Sequence, residues 1–149
     1  MPYHELERRG WIRRQAIAPE EIQGVLERAE EELSAARELA ARFPSSSFEL
    51  AYNAMLLAAT ALLYSEGYRA GVERHHKTLV EFTEFCLGQP HPRLVNEFDR
   101  ARRKRHRTVY GQHRATRQEA DHVLNVAQEL LEVISHKLAK KHAPVSAEN

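Results

Sequence analysis

From Pro19 onward, apolar residues recur at Ile22, Val25, Leu26, Ala29, Leu33, Ala36, Ala40 and Phe43. This three-and-four spacing predicts an amphipathic helix, opened by a proline suited to a first turn and closed before Pro44. Ser46 and Glu49 then have the spacing of a capping box. The segment they introduce, FELAYNAMLLAATALLYSEG, is apolar on nearly every side, so it is predicted as the central, most buried helix, with Gly67 as its stop. A third helix is expected over about 73–87, with Leu79, Phe82 and Cys86 inward and Gly88 at its end. After the turn GQPHP, Pro92 starts a fourth helix carrying Leu94, Val95, Phe98 and Ala101 inward, and Gly111 ends it. Thr116 and Glu119 form a second capping-box pattern ahead of a long stripe from Ala120 to Leu138. Residues 3–15 are expected to add a short helix anchored by Trp11 and Ile12, and no segment shows two-residue alternation. The prediction is an all-α, up-and-down bundle of four to five helices. It forms one domain over 1–149, with its core at about 19–139 and a polar, frayed tail over 140–149.

Composition narrows this picture without redirecting it. A chain of 149 residues with 42% hydrophobic and 29% charged positions is an ordinary globular protein by composition. Its net charge of +1 means that attraction to a polyanion must come from local clustering. The lone Cys86 excludes an intramolecular disulfide and reads as a small hydrophobe. The N-terminus lacks a signal-peptide core. The longest apolar run, 50–64, is broken by Asn53 and Thr60 and falls short of the roughly 20 residues of a membrane span. A cytoplasmic location and no membrane partner are expected.

Local clustering is what the stretch RARRKRHRTVYGQH, residues 100–113, supplies: five arginines, a lysine and two histidines. On a helix each residue turns about 100°. With Phe98 centred on the buried face, Arg105 lies only about 20° away, flanked by Arg102 and His106. Thr108 and Val109 fall on the same side. Arg100, Arg103, Lys104 and Arg107 point to the opposite side. The outward set reads either as a solvated face or as a phosphate track. The inward arginines need an anionic partner, because an unpaired guanidinium on an apolar face costs several kcal/mol in order of magnitude. That partner is a carboxylate, with Glu49 and Asp99 as candidates, or a bound ligand. His106 and Tyr110, four apart, share one side of the helix beside these arginines. Guanidinium can stabilise developing negative charge and imidazole can move protons near neutral pH, which suits a phosphodiester or nucleotide site.

Three stretches carry a resemblance. The central helix AYNAMLLAATALLYSEGYRA, the third-helix opening HHKTLVEF and the segment RHRTVYG are together similar to the landmarks of the HEPN superfamily, the nucleotide-binding bundles of higher eukaryotes and prokaryotes. The resemblance implies an RNA- or nucleotide-binding bundle. Active members are metal-independent endoribonucleases, often of toxin–antitoxin or antiphage systems, with one composite cleft across a homodimer. It implies Arg105 as the residue that stabilises the scissile phosphate. His106 stands where the family usually has asparagine, and Tyr110 takes the position of the catalytic histidine. Arg102, Arg103, Arg107 and His113 are the implied RNA- or nucleotide-binding residues. A phenol with an ordinary pKa near 10 is a poor base at neutral pH. The resemblance therefore leaves His106 as the proton shuttle or the fold as a non-catalytic binder. The registers Arg100 with His106 and Arg107 with His113 satisfy the same spacing.

No other chemistry competes strongly. Of nine histidines no two are three or four apart, and His75 and His76 are expected to diverge on their helix, so no metal site and no cofactor are predicted. Glycine-rich phosphate loops, nucleophile elbows and Cys–Xaa–Xaa–Cys pairs are absent from the sequence. Asn53 reads as a hydrogen-bonded core residue, Tyr52 and Tyr64 as core rings with hydroxyls at an edge, and His76 as structural or, alternatively, at the edge of the cleft. Three functions stay open: a homodimeric ribonuclease, a non-catalytic module for RNA, a nucleotide or a nucleotidyltransferase-type antitoxin partner, and a plain helical scaffold.

Overall fold

The computed structural model describes residues 3–111 and 113–141. Its elements run α1 (His4–Arg8), β1 (Ile12–Arg14), α2 (Pro19–Leu39), α3 (Pro44–Ser65), β2 (Tyr68–Ala70), α4 (His75–Leu87), α5 (Pro92–Val109) and α6 (Arg117–Lys141). The architecture is all-α apart from the two three-residue strands.

Helix α3 sits at the centre and packs against α2, α4, α5 and α6. Its sequence dictates this place. Phe48, Tyr52, Met55, Leu62 and Leu63 are sealed from solvent, as are Ala51, Ala54, Ala58, Ala59 and Ala61 on intervening sides. The alanines leave room for α2 and α6 to approach; on those helices Ala29, Ala36, Ala120 and Ala127 are buried in turn. By length and composition α3 could cross a membrane, being longer than the apolar run suggested, yet 67% of its most apolar stretch is buried inside the bundle.

Helix starts follow local chemistry in three places. Pro19, Pro44 and Pro92 each occupy a first-turn position, where a missing N–H costs nothing. The Thr116–Glu119 capping box forms as expected, the Thr116 N–H donating to Glu119 at 2.9 Å and the Glu119 N–H to Thr116 Oγ1 at 3.1 Å. The Ser46–Glu49 box does not form, because Pro44 already opens α3 and no side chain caps it. The flanking serines instead tie elements together. Ser47 Oγ donates to the Ala36 carbonyl at 2.6 Å, and Ser45 Oγ accepts from the Ala115 N–H at 3.0 Å.

The N-terminal segment departs from expectation. Only His4–Arg8 is helical; Ile12–Arg14 pairs antiparallel with Tyr68–Ala70. Gly10 and Gly67, with φ of +74° and +84°, turn the chain into these strands through conformations that a side chain would strain. Ile12, Tyr68 and Tyr3 are buried beneath the pair, and the Tyr3 and Tyr68 rings meet edge-on at 5.4 Å. Asn53 donates to Glu32 at 2.6 Å and the Tyr64 hydroxyl accepts from Arg69 at 2.9 Å, the hydrogen bonding read from sequence, but both residues are half-buried and not within the core. Cys86 is half-buried, and burial together with Glu66 pushes its thiol up to about 11, leaving it a poor nucleophile. The expected polar tail lies outside the described residues beyond Lys141.

Candidate nucleic-acid cleft

Between the start of α4 and the second half of α5 lies an open cleft of about 990 Å³. One wall comes from Gly71, Val72 and Arg74 in the β2–α4 connection together with His75, His76 and Lys77 on α4. Arg102, Arg103, Arg105 and His106 on α5 form the other. Four of the sequence-predicted residues are thus brought together.

Arg105 emerges beside the core. Its guanidinium lies 5.8 Å from the centroid of the Tyr52 ring, and its Nε donates to Glu49 at 3.2 Å. Both side chains of this pair stay partly wet, at 34% and 40% exposure. Arg102 Nε donates to Asp99 at 3.0 Å, and Arg103 reaches the second oxygen of the same carboxylate at 3.3 Å. The expected carboxylate partners therefore exist, but they do not seal the arginines away. Partly exposed pairs of this kind contribute about 0–1 kcal/mol, so an arriving phosphate can exchange with them at small cost. Around the cleft Arg74, Lys77, Arg102, Arg103 and Arg105 face three paired carboxylates, Glu81, Asp99 and Glu49. Two positive charges remain in surplus.

The floor holds a chain of polar contacts that sequence reasoning missed. The Tyr52 hydroxyl lies 3.0 Å from His76 Nδ1, and His75 Nδ1 lies 3.2 Å from the Gly71 carbonyl oxygen. The two imidazoles stand 6.0 Å apart, nearly edge-on. Burial, then the positive charge of Arg105, the neighbouring His75 and Arg102, lowers the His76 pKa and favours the neutral ring. Burial also raises the Tyr52 pKa, against the opposing pull of Arg105 and Arg102, so the phenol keeps its proton. Consecutive residues were expected to diverge, yet both rings line the cleft because the first turn of α4 ends in it. The signal available in sequence was RHHK at 74–77, a second basic cluster on its own.

Arg74 fixes the wall. It is the non-glycine residue with positive φ among the described residues, at 45°, a conformation worth about 1–3 kcal/mol of strain. Its guanidinium lies 3.6 Å from the centroid of Trp11 and donates to both oxygens of Glu81 at 2.9 and 3.1 Å. The Gly71 N–H donates to the Trp11 carbonyl at 2.9 Å. Trp11, just ahead of β1, thus braces the connection that carries the cleft wall.

The remaining expectations for α5 need correction. His106 does not face inward: it is exposed, its ring 4.8 Å from that of Tyr110. Val109 and Tyr110 are 43% and 68% exposed at the C-terminal end of α5. Wheel angle ceases to mean burial there. Lys104, expected outward, is half-buried and meets Glu119 of α6 at 3.1 Å. His113 also bonds Glu119, at 3.0 and 3.1 Å, and stands outside the lining of the cleft, as do Arg107 and Tyr110. The alternative register of Arg100 with His106 separates as well. Arg100 borders the α5–α6 crevice with Glu97 and His122, while His106 borders the cleft. Among the described residues no group of three or more His, Cys, Asp or Glu is arranged to hold a metal ion.

A family model described as the HEPN domain matches residues 22–138, which spans α2 to α6. No curated protein and no solved structure matches the chain.

Proposed function

Since the chain belongs to the HEPN domain family, whose functions are in general RNA- or nucleotide-related, we propose that it binds RNA through the α4–α5 cleft and cuts it without a metal ion. One observation carries this reading. Arg102, Arg103 and Arg105 converge with three histidines in a cleft large enough for several nucleotides, and their carboxylate partners are exposed enough to be displaced. Arg105 contacts the scissile phosphate, and a cleft histidine takes the proton from the ribose 2′-hydroxyl. The same reading expects a homodimer, which light scattering on the purified protein measures. A second reading, a non-catalytic module met by a nucleotidyltransferase partner, draws on Tyr110. Its 68% exposure outside the cleft lining leaves its hydroxyl open to modification.

The test is RNA binding and cleavage in EDTA, with labelled single-stranded RNA, for wild type and Arg105→Ala. Binding should weaken with salt, with a log–log slope of about 0.7 per phosphate contact, and Arg105→Ala should lose about one contact from that slope together with cleavage. Equal binding and equal background cleavage in both proteins would sink the reading.

A further inference from the structure

We propose that His75 is the proton acceptor, and His76 the phosphate-facing hydrogen-bond donor, of the cleavage centre, opposite Arg105. This rests on the reading of the cleft as an RNA-cutting site and names the groups that move and hold the protons there.

The assignment follows from what each Nδ1 touches. The partner of His75 Nδ1 is the Gly71 carbonyl oxygen, which can only accept, so that nitrogen carries hydrogen. A neutral His75 therefore keeps its lone pair on Nε2. The partner of His76 Nδ1 is the hydroxyl of Tyr52, whose residue is fully buried. Were Nδ1–H to donate to the phenol, the buried O–H would be left without an acceptor, so the hydroxyl donates and Nδ1 accepts. A neutral His76 therefore carries its hydrogen on Nε2. Adjacent residues thus offer the cleft one acceptor and one donor, 6.0 Å apart between ring centres, with tautomers set by groups behind them.

His106 has no such orienter. Its ring is exposed and leans on Tyr110. It also lies on the far wall with the arginines, whereas His75 and His76 face them across the cleft.

In the step proposed, the 2′-hydroxyl proton passes to His75 Nε2 as the 2′-oxygen bonds to phosphorus. The P–O5′ bond breaks, and the leaving 5′-oxygen takes a proton from solvent water. His75 then returns its proton to the hydroxide so formed. The products are a 2′,3′-cyclic phosphate and a 5′-hydroxyl. Arg105 and the His76 Nε2–H hold the non-bridging oxygens, where negative charge grows.

The experiment compares wild type with His75→Ala, His76→Ala, His106→Ala and Tyr52→Phe. It measures cleavage of an RNA oligonucleotide in EDTA, binding of the same oligonucleotide made uncleavable by a 2′-deoxy residue, and thermal melting. His75→Ala should cut about 10²–10⁴-fold more slowly while binding within about twofold of wild type, and added imidazole should restore part of its rate. His76→Ala should lose on the order of 10²-fold, and Tyr52→Phe should share part of that loss. His106→Ala removes a ring from the opposite wall of the same cleft, so it should weaken binding and cleavage together, and added imidazole should not restore its rate. Wild-type cleavage by His75→Ala, or loss confined to His106→Ala, would overturn the assignment while leaving RNA cutting intact. Absence of cleavage in the wild type would remove the proposed activity and the assignment with it.

Discussion

Glu119 offers the sharpest test of how the basic helix is held in place. Its carboxylate accepts from the Thr116 N–H, from His113 Nε2 and from Lys104 Nζ, so one side chain joins the α6 cap, the α5–α6 connection and α5 itself. Burial alone would push the carboxyl up. The three donors more than offset this and hold it at about 2, against an ordinary 4.5. At about 1.36 kcal/mol per pH unit, the charged form is stabilised in the fold by on the order of 3 kcal/mol. The folded value lies below the unfolded one, so this stability is fully present above about pH 4.5. It is lost as pH falls toward 2. Glu119→Gln keeps an acceptor for the cap and removes the charge. Urea denaturation of both proteins at pH 7 and at pH 3 reads the difference. Wild type should exceed the variant by about 2–3 kcal/mol at pH 7, and the gap should shrink at pH 3. A gap independent of pH, or a variant as stable as wild type at pH 7, would refute the account of Glu119 as an ionic tie.

Two further expectations concern core and cleft. Phe98, fully buried where α5 meets Tyr52, should cost about 3–5 kcal/mol when replaced by alanine, read as a lowered urea midpoint with helical circular dichroism retained at low denaturant. Asp99→Asn frees Arg102 and Arg103 together, so RNA binding should tighten several-fold with a steeper salt dependence, while stability changes by about 1 kcal/mol or less; weaker binding would contradict the exchange of carboxylate for phosphate.

Much of the bundle is legible in the chain because its signals are local. Prolines at 19 and 92, the Thr116–Glu119 box and the all-round apolarity of α3 each act within a few residues. The strands were not legible, since three residues are too few to display alternation and their pairing joins positions 12–14 to 68–70. The false capping box at Ser46 has a similar cause. The helix begins two residues earlier, and the serine hydroxyls on either side are used across elements, at Ala36 and Ala115. For the site, periodicity correctly placed Arg102 and Arg105 at the margin of the core, because the bundle extends under that part of α5. It failed for His106 and Val109, which are both exposed. The joint placement of His75 and His76 in the cleft escaped because it depends on what α4 faces, a tertiary fact with no trace in helical spacing.

The stack of Arg74 on Trp11 ties the cleft to a stretch that the family match leaves out. The match begins at residue 22, yet the wall of the cleft leans on residue 11. A protein cut at the family boundary would lose that brace together with Tyr3, Leu6 and Ile12, which are buried in the core. The same short stretch therefore shapes the mouth of the cleft and completes the core, so a change there bears on both.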